Sequence, residues 1–279
     1  MWTILQIELY KIFKRPRTYI SFAAIAAIVI LIQLALYLDG EKYLKFMLQG
    51  VETSFDFDGK ILHGYLICFI ILQTLLIHVP LLIALVGGDM IAGEANMGTL
   101  RLLISKPVSR TTLLLSKFAA TMAYTLLLLL WMAFLSLVMS ILVFGTGDLM
   151  IMKSEEIIIL KSGDVLWRYF AAFGFAAIAM TTVAALSFFL SLFAENAIGP
   201  IVTTMSVVIV CTILTTMDLP LFALIKPFLF TSHMLGWKGF FDDPINYPGV
   251  LRSAGILLIH IVGFVGGGIL IFNRKDVLS

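Results

Sequence analysis

Six long apolar runs divide this chain, at 18–38, 64–87, 118–144, 167–193, 199–217 and 250–272. A helix needs about 20 mostly apolar residues to cross the hydrocarbon of a bilayer. Each run is of that order, so the pattern predicts six membrane-spanning helices. The third and fourth runs are long enough to tilt or to project beyond the lipid. Gly145 and Gly147 close the third run, while Gly199 and Pro200 open the fifth. Ahead of the first run, residues 1–17 read MWTILQIELYKIFKRPR. On a helical wheel Trp2, Leu5, Leu9, Ile12 and Phe13 share one face, Lys11 and Lys14 lie opposite, and Pro16 stops the pattern. That is an amphipathic helix suited to the membrane interface, with Lys11, Lys14, Arg15 and Arg17 near lipid phosphates and Trp2 at headgroup depth. Between the fifth and sixth runs, 218–249 is apolar but interrupted by Pro220, Pro227, Lys226 and His233. It is too broken to span, and predicts short re-entrant or surface-lying helices, since irregular backbone survives at depth only when covered by protein. The run Ile157-Ile158-Ile159-Leu160 after Glu155-Glu156 suggests a short strand. The fold class expected is an all-α membrane protein, with 1–17 as an interfacial helix and 18–279 as one six-span domain.

Composition agrees. Of 279 residues 61% are hydrophobic and 13% charged, and the mean hydropathy is +1.05, far above that of a soluble domain. The net charge of +2 makes no case for nucleic acid. The first apolar run follows a basic stretch, as a secretory signal does, but it is longer than a signal core and no small-x-small site closes it, so it reads as a retained span. Cys68 and Cys211 both fall in apolar runs and show neither metal spacing nor a disulfide framework. Ten Lys and Arg residues fall with the amino end, the 88–117 loop and the carboxyl end, against seven on the opposite side and two at borders. The cluster Lys11, Lys14, Arg15, Arg17 abuts the first span, so both termini are expected in the cytoplasm, with the chain multi-pass in the inner (plasma) membrane.

The polar passage Gly87–Lys117 has its own local logic. Gly87-Gly88 loosens the end of the second span, and Thr99 to Ile104 forms a short helix with Arg101 in its middle. Pro107 disfavours helix at Lys106, and Ser109 is a good N-cap for a helix beginning at Arg110. From Arg110 to Phe144 there is neither Gly nor Pro. Thirty-five residues at 1.5 Å rise reach about 50 Å, against a hydrocarbon core of about 30 Å, so the third span starts in the cytosol and acts as a rigid lever. A short helix, a hinge and a lever can pass force from a cytosolic partner to the membrane. A plain connecting loop explains the same composition.

Within it, GEANMGTLRLLISKPVSRTTLLLSK resembles the G-E-x3-G-T-L-x-x-L-L-x-x-P-V-S-R-x-x-x-L-x-x-K passage of type-2 ABC transporter permease subunits. Glu94, Gly98, Thr99, Leu100, Leu103, Pro107, Val108, Ser109, Arg110 and Lys117 match position by position, with Leu102 beside Leu103 and Ile104 in place of the second Leu; Arg101 departs, where many relatives carry an acidic residue. The layout is similar along the whole chain, the detailed match covers about 25 residues. The resemblance implies that 88–117 is a coupling loop. Glu94, Gly98, Thr99, Leu100, Arg101, Leu102, Leu103, Lys106, Pro107 and Arg110 would form the interface with a cytosolic ABC ATPase subunit. It further implies pairing with a second permease chain, identical or not, and ATP-driven export.

Other chemistries fare worse. A phosphate-binding loop needs G-x4-G-K-[ST], and the lone Gly-Lys pair, Gly59-Lys60, is followed by Ile61. The chain is therefore not expected to be an enzyme or to hold a cofactor; ATP and Mg belong to the partner. His78 and His260 near mid-depth are conceivable haem ligands, and fit packing or a cavity equally. The spans carry Gln33, Gln73 and Ser or Thr side chains but no mid-membrane acid, which argues against an ion-driven carrier. Gly263, Gly266, Gly267 and Gly268 favour close packing within the chain, with a dimer face as the alternative. The apolar character suits a hydrophobic or amphipathic substrate. A non-transporting structural or assembly membrane protein is the competing reading.

Overall fold

The computed structural model describes residues 2–48, 61–104, 107–152, 157–217 and 219–274. Helix α1 (Trp2–Lys14) is followed by α2 (Pro16–Leu48), which is kinked at Asp39. Next come α3 (Gly64–Gly87), α4 (Asp89–Asn96) and α5 (Thr99–Ile104). Helix α6 (Arg110–Ala133) passes through a π-helical segment, Phe134–Val138, into α7 (Met139–Phe144). Strands β1 (Leu149–Met152) and β2 (Ile157–Leu160) precede α8 (Ser162–Leu190) and α9 (Ile198–Thr216). The short α10 (Pro220–Ala223) and α11 (Phe230–Met234) lead to α12 (Tyr247–Arg274).

Six helical stretches are long and apolar enough to cross a membrane: Pro16–Gly40, Gly64–Asn96, Arg110–Phe144, Ser162–Phe193, Ile198–Thr216 and Tyr247–Arg274. Each covers one of the six predicted runs to within a residue, and the second extends beyond its run to Asn96. Ser162–Phe193 is the centre of the bundle, with 78% of its most apolar window buried, while Ile198–Thr216 and Tyr247–Arg274 bury only 17% of theirs. Around α8 pack α3, α6, α9 and α12. Tyr169 on α8 donates to the Tyr65 carbonyl at 2.5 Å, and its ring meets Phe241 edge-on.

Three expectations are corrected. The chain is not wholly helical: β1 and β2 pair antiparallel in the register Leu149↔Leu160 to Met152↔Ile157. Leu149, Ile151, Ile158 and Leu160 turn inward in strict alternation, the period that a half-buried strand requires; only β2 had a sequence signal. Second, Gly87-Gly88 does not loosen the second span. Gly88 keeps helical dihedrals and donates to Ala84 O, so the helix runs on into α4. These glycines instead give space: a Cβ at Gly88 would meet Pro200 and Ile201 of α9 at 3.1–3.2 Å. Third, the third span is one helix but not uniformly α, because Phe134–Val138 has π spacing.

The segment before the last span does form short helices. Phe230, Trp237 and Phe241 bury their rings there. Arg168 on α8 holds the segment by donating to the carbonyls of Phe240 and Asp242, at 2.9 and 2.8 Å. Of the glycines in α12, Gly267 and Gly268 face Phe189 and Leu192, whereas Gly263 and Gly266 face open space. Only half of that set packs within the chain.

Both ends of the described chain lie at one end of the bundle. Arg110, opening α6, donates to the Phe272 and Asn273 carbonyls of α12 at 3.2 and 3.3 Å. Two turns further along α6, Lys117 reaches Glu8 of α1.

Candidate functional site

The site is at that shared end, where α1, α4, α5 and α6 meet. Ser109 starts α6 as expected from its sequence, accepting a 3.1 Å hydrogen bond from Thr112 N. That fixes the first turn and sets Lys117 on the face toward α1. On α1, Glu8 and Lys11 are three residues apart, hence neighbours on one face. On α4, Glu94 faces the same point. The result is a closed ring of alternating charge. Lys11 Nζ donates to Glu8 Oε1 and Glu94 Oε1, both at 2.8 Å. Lys117 Nζ donates to Glu8 Oε2 at 2.8 Å and forms an ion pair with Glu94 Oε2 at 2.8 Å. Glu8 and Lys117 are each 2% exposed and Glu94 4%.

Two cations and two anions make the ring neutral. A buried charge is tolerated only when paired and hydrogen-bonded, and here each carboxylate spends its two oxygens on two lysines. Burial pushes the Glu8 carboxyl up, but Lys117 and Lys11 outweigh it and hold the group below its ordinary 4.5. Burial likewise pulls Lys11 down, and its bonds to Glu8 and Glu94 outweigh that and raise it above 10.5. A second knot lies one turn earlier on α4. Asp89, 3% exposed, pairs with Arg15 and, at 2.9 Å, with Arg17. Gly93 makes room for it, since a Cβ there would sit 2.3 Å from Asp89 Oδ1. Four elements are thus tied at two points: the ring joins α1, α4 and α6, and Asp89 joins α4 to the start of α2.

Above the ring stands α5. Gly98 turns the chain with φ +68°, a conformation natural to glycine. Thr99 Oγ1 donates to the Glu94 carbonyl at 3.3 Å, hooking α5 to the ring's helix. Leu100 points in, 8% exposed; Leu102 and Met97 point out, 67% and 57% exposed. Between α1 and α5 runs a groove of about 420 Å³, walled by Tyr10, Lys14 and Arg15 on one side and Met97, Leu102 and Leu103 on the other.

The predicted interface residues therefore separate. Leu102, Leu103, Thr99 and the exposed Pro107 belong to the outer surface or the groove. Glu94 and Leu100 are inside. Arg110 is engaged with the end of α12. Lys106 and the side chain of Arg101 lie outside the described residues. The predicted lipid-facing set separates too. Trp2 is 69% exposed, and Lys14 is exposed, 5.4 Å from the Tyr10 ring centroid. Lys11, Arg15 and Arg17 instead take carboxylate partners inside the protein. Helix α1 buries Glu8 and Ile12 against α6, so it is a packed element and not simply a float on lipid. Glu8, Asp89 and the partners of Lys117 were missed from sequence. The available signal was Glu8 itself, an acid set between Leu5 and Ile12 on the apolar face. The two histidines of the spans stand apart in kind: His78 is on an exposed face of α3, bonded to Thr74 O, while His260 lies between Phe230 and Phe264.

A family model described as Protein of unknown function (DUF2705) matches residues 25–278. The chain belongs to that family. The matched stretch contains Asp89, Glu94 and Lys117, and α1 precedes it. A 63-residue stretch is 36% identical to Uncharacterized protein YhcI of Bacillus subtilis (strain 168), taking in 23% of this chain and 20% of that protein. The chain thus aligns with about a fifth of that relative's length.

Proposed function

We propose that this chain is the membrane-spanning permease subunit of an ATP-driven transporter of the type-2 ABC class, exporting a hydrophobic or amphipathic substrate. Its α5 is the coupling helix, gripped by a separate cytosolic ATPase subunit, and a second permease chain completes the passage. The observation that carries this reading is the linkage at α5. The six-residue helix exposes Leu102, and Met97 is exposed just before it, beside an open groove. Through Thr99, Glu94 and Lys117 it is joined to the base of the 35-residue helical stretch Arg110–Phe144. A push on α5 is delivered to a helix longer than the hydrocarbon is thick. The charge ring makes that delivery stiff, because ion pairs shielded from water resist separation.

Roles follow from position. Leu102, Met97 and Leu103 supply apolar contact to the ATPase; Glu94, Lys117, Glu8 and Lys11 transmit; α1 lies along the membrane interface with Trp2 outermost. ATP and Mg act in the partner. The chain sits in the plasma membrane with both termini cytoplasmic.

The test is co-purification in mild detergent with nucleotide turnover as readout. The wild-type complex is expected to hydrolyse ATP and the isolated chain to be inert. Leu102→Asp places a charge in the contact. Interface anchors cost about 2 kcal/mol or more when lost, roughly a 30-fold drop in partner affinity, with the six-span fold intact. Turnover by the isolated chain, or a cysteine at Thr99 that reacts from outside intact cells, overturns the reading. A chain that never associates with an ATPase supports the structural-protein alternative.

A further inference from the structure

The long helix at the centre of this scheme contains one irregular turn, and its surroundings give it a purpose. Phe134–Val138 has π spacing, with Met139 N donating to Phe134 O. An extra residue per turn displaces carbonyls from their usual donors and is a recognised origin of helix bending, often at functional positions. Inside a membrane a displaced carbonyl needs a donor from the protein. Gln33 of α2 supplies one: its Nε2 donates to Leu135 O at 3.0 Å and to Ser140 Oγ at 2.9 Å. Those acceptors are on either side of Leu137, one in the π turn and one in α7. A single amide therefore bridges the irregular turn.

The two arms of the helix differ in their main neighbours. Below the π turn, α6 packs chiefly on α1, α8 and α12, with smaller contacts to α2 and α3 through Trp131 Nε1, which donates to Phe22 O at 3.1 Å, and Tyr124 OH, which donates to Leu82 O at 3.4 Å. Above it, α7 packs on α3 so closely that a Cβ at Gly64 would come within 2.6 Å of the Ile141 backbone. Gly64 N also donates to Gly145 O at 2.8 Å, closing the top. Ser136 in the π turn bonds Met132 O at 2.7 Å, and Cys68 of α3 donates to Ser136 Oγ at 3.8 Å. The upper arm is pinned, the lower arm carries Lys117, and the irregular turn lies between them.

We infer that Phe134–Val138 is a hinge in the third span and that the Gln33 amide, bridging Leu135 O and Ser140 Oγ, is its latch. With the latch made, the lower arm is held in line; with it broken, the lower arm swings about the π turn while α7 stays on α3. This inference stands whether or not an ATPase drives the motion, and its test uses no nucleotide.

The experiment is pulsed electron paramagnetic resonance on the full-length chain in lipid nanodiscs, with two pairs of spin-labelled cysteines. Cys68 is fully buried and is kept; Cys211 is replaced by Ser. One pair, Met122 and Ile198, joins the lower arm to the start of α9. The other, Leu142 and Ile77, joins α7 to α3. Met122 is 13 residues below Leu135, about 20 Å along the axis, so a kink of about 20° moves it by about 7 Å. In Gln33→Met, which keeps volume and removes the donor, the lower pair is expected to gain a population displaced by about 5 Å or more, and the upper pair to stay unchanged. Ser140→Ala, which removes one end of the bridge, should give a smaller displacement of the same pair, and carries the test if Gln33→Met does not fold. An unchanged lower pair overturns the hinge. So does equal broadening of both pairs, which is general loosening.

Discussion

At the scale of single residues, the most consequential side chain is Lys117. It is an ammonium group 2% exposed, held 2.8 Å from both Glu8 and Glu94. Removing one partner of such a pair leaves the others charged and unpaired, a loss of about 3–5 kcal/mol. Lys117→Met is therefore expected to lower the denaturation midpoint sharply in detergent. Adding Glu8→Gln restores neutrality around the remaining Lys11–Glu94 pair, so the double variant should recover much of the loss. A coupling energy below about 0.5 kcal/mol in that cycle would show that the ring does not act as a unit. The same ring predicts a pH window. Glu8 has its pKa lowered on folding, so its contribution is present above 4.5 and is lost as pH falls through the lower folded value. Lys11 has its pKa raised, so its contribution is present below 10.5 and is lost as pH rises through the higher folded value. Attachment of α1 should hold across neutral pH and weaken at both extremes, measurable as increased mobility of a spin label at Gln6.

Elements meet through small residues at a few defined points. Gly93 leaves room for the Asp89 carboxylate, whose oxygen would lie 2.3 Å from an added Cβ. Gly93→Ala should push Asp89 away from Arg15 and Arg17 and cost about 1–3 kcal/mol, as overpacking does. Gly263→Ala, where nothing lies within 4 Å, should cost nothing by crowding, and the contrast between the two variants isolates the close approach. The limits of the long elements were legible beforehand. Predicted runs 64–87 and 199–217 match Gly64–Gly87 and Ile198–Thr216 to within a residue, because hydrophobic length is a local property. The Ser109 cap was legible for the same reason. The π turn was not: FLSLV has no Gly or Pro to announce it, and it is stabilised by Gln33, about a hundred residues earlier in the chain.

For the molecule as a whole, the arrangement separates a packed scaffold from exposed faces. Helix α8 is the scaffold, while the spans α2, α9 and α12 bury only about a fifth of their most apolar windows. In water such faces would associate without restraint; in a bilayer, lipid or a neighbouring chain covers them. The charged end of the molecule gathers α1, α4, α5, α6 and the close of α12.

The amino-acid order alone determined six spans, an amphipathic first helix, a capped start to the third span and a short polar-loop helix, since each depends on residues within a few turns of one another. It did not determine that Glu94 faces inward, that Arg15 and Arg17 share Asp89, or that Gln33 meets Leu135. Those pairings join residues up to about a hundred positions apart, and a charge on a helix face looks the same in sequence whether lipid, water or a counter-charge awaits it. Only the packing of α1, α4 and α6 decided which, because excluding water from that junction leaves ion pairing as the one arrangement in which the buried charges are stable.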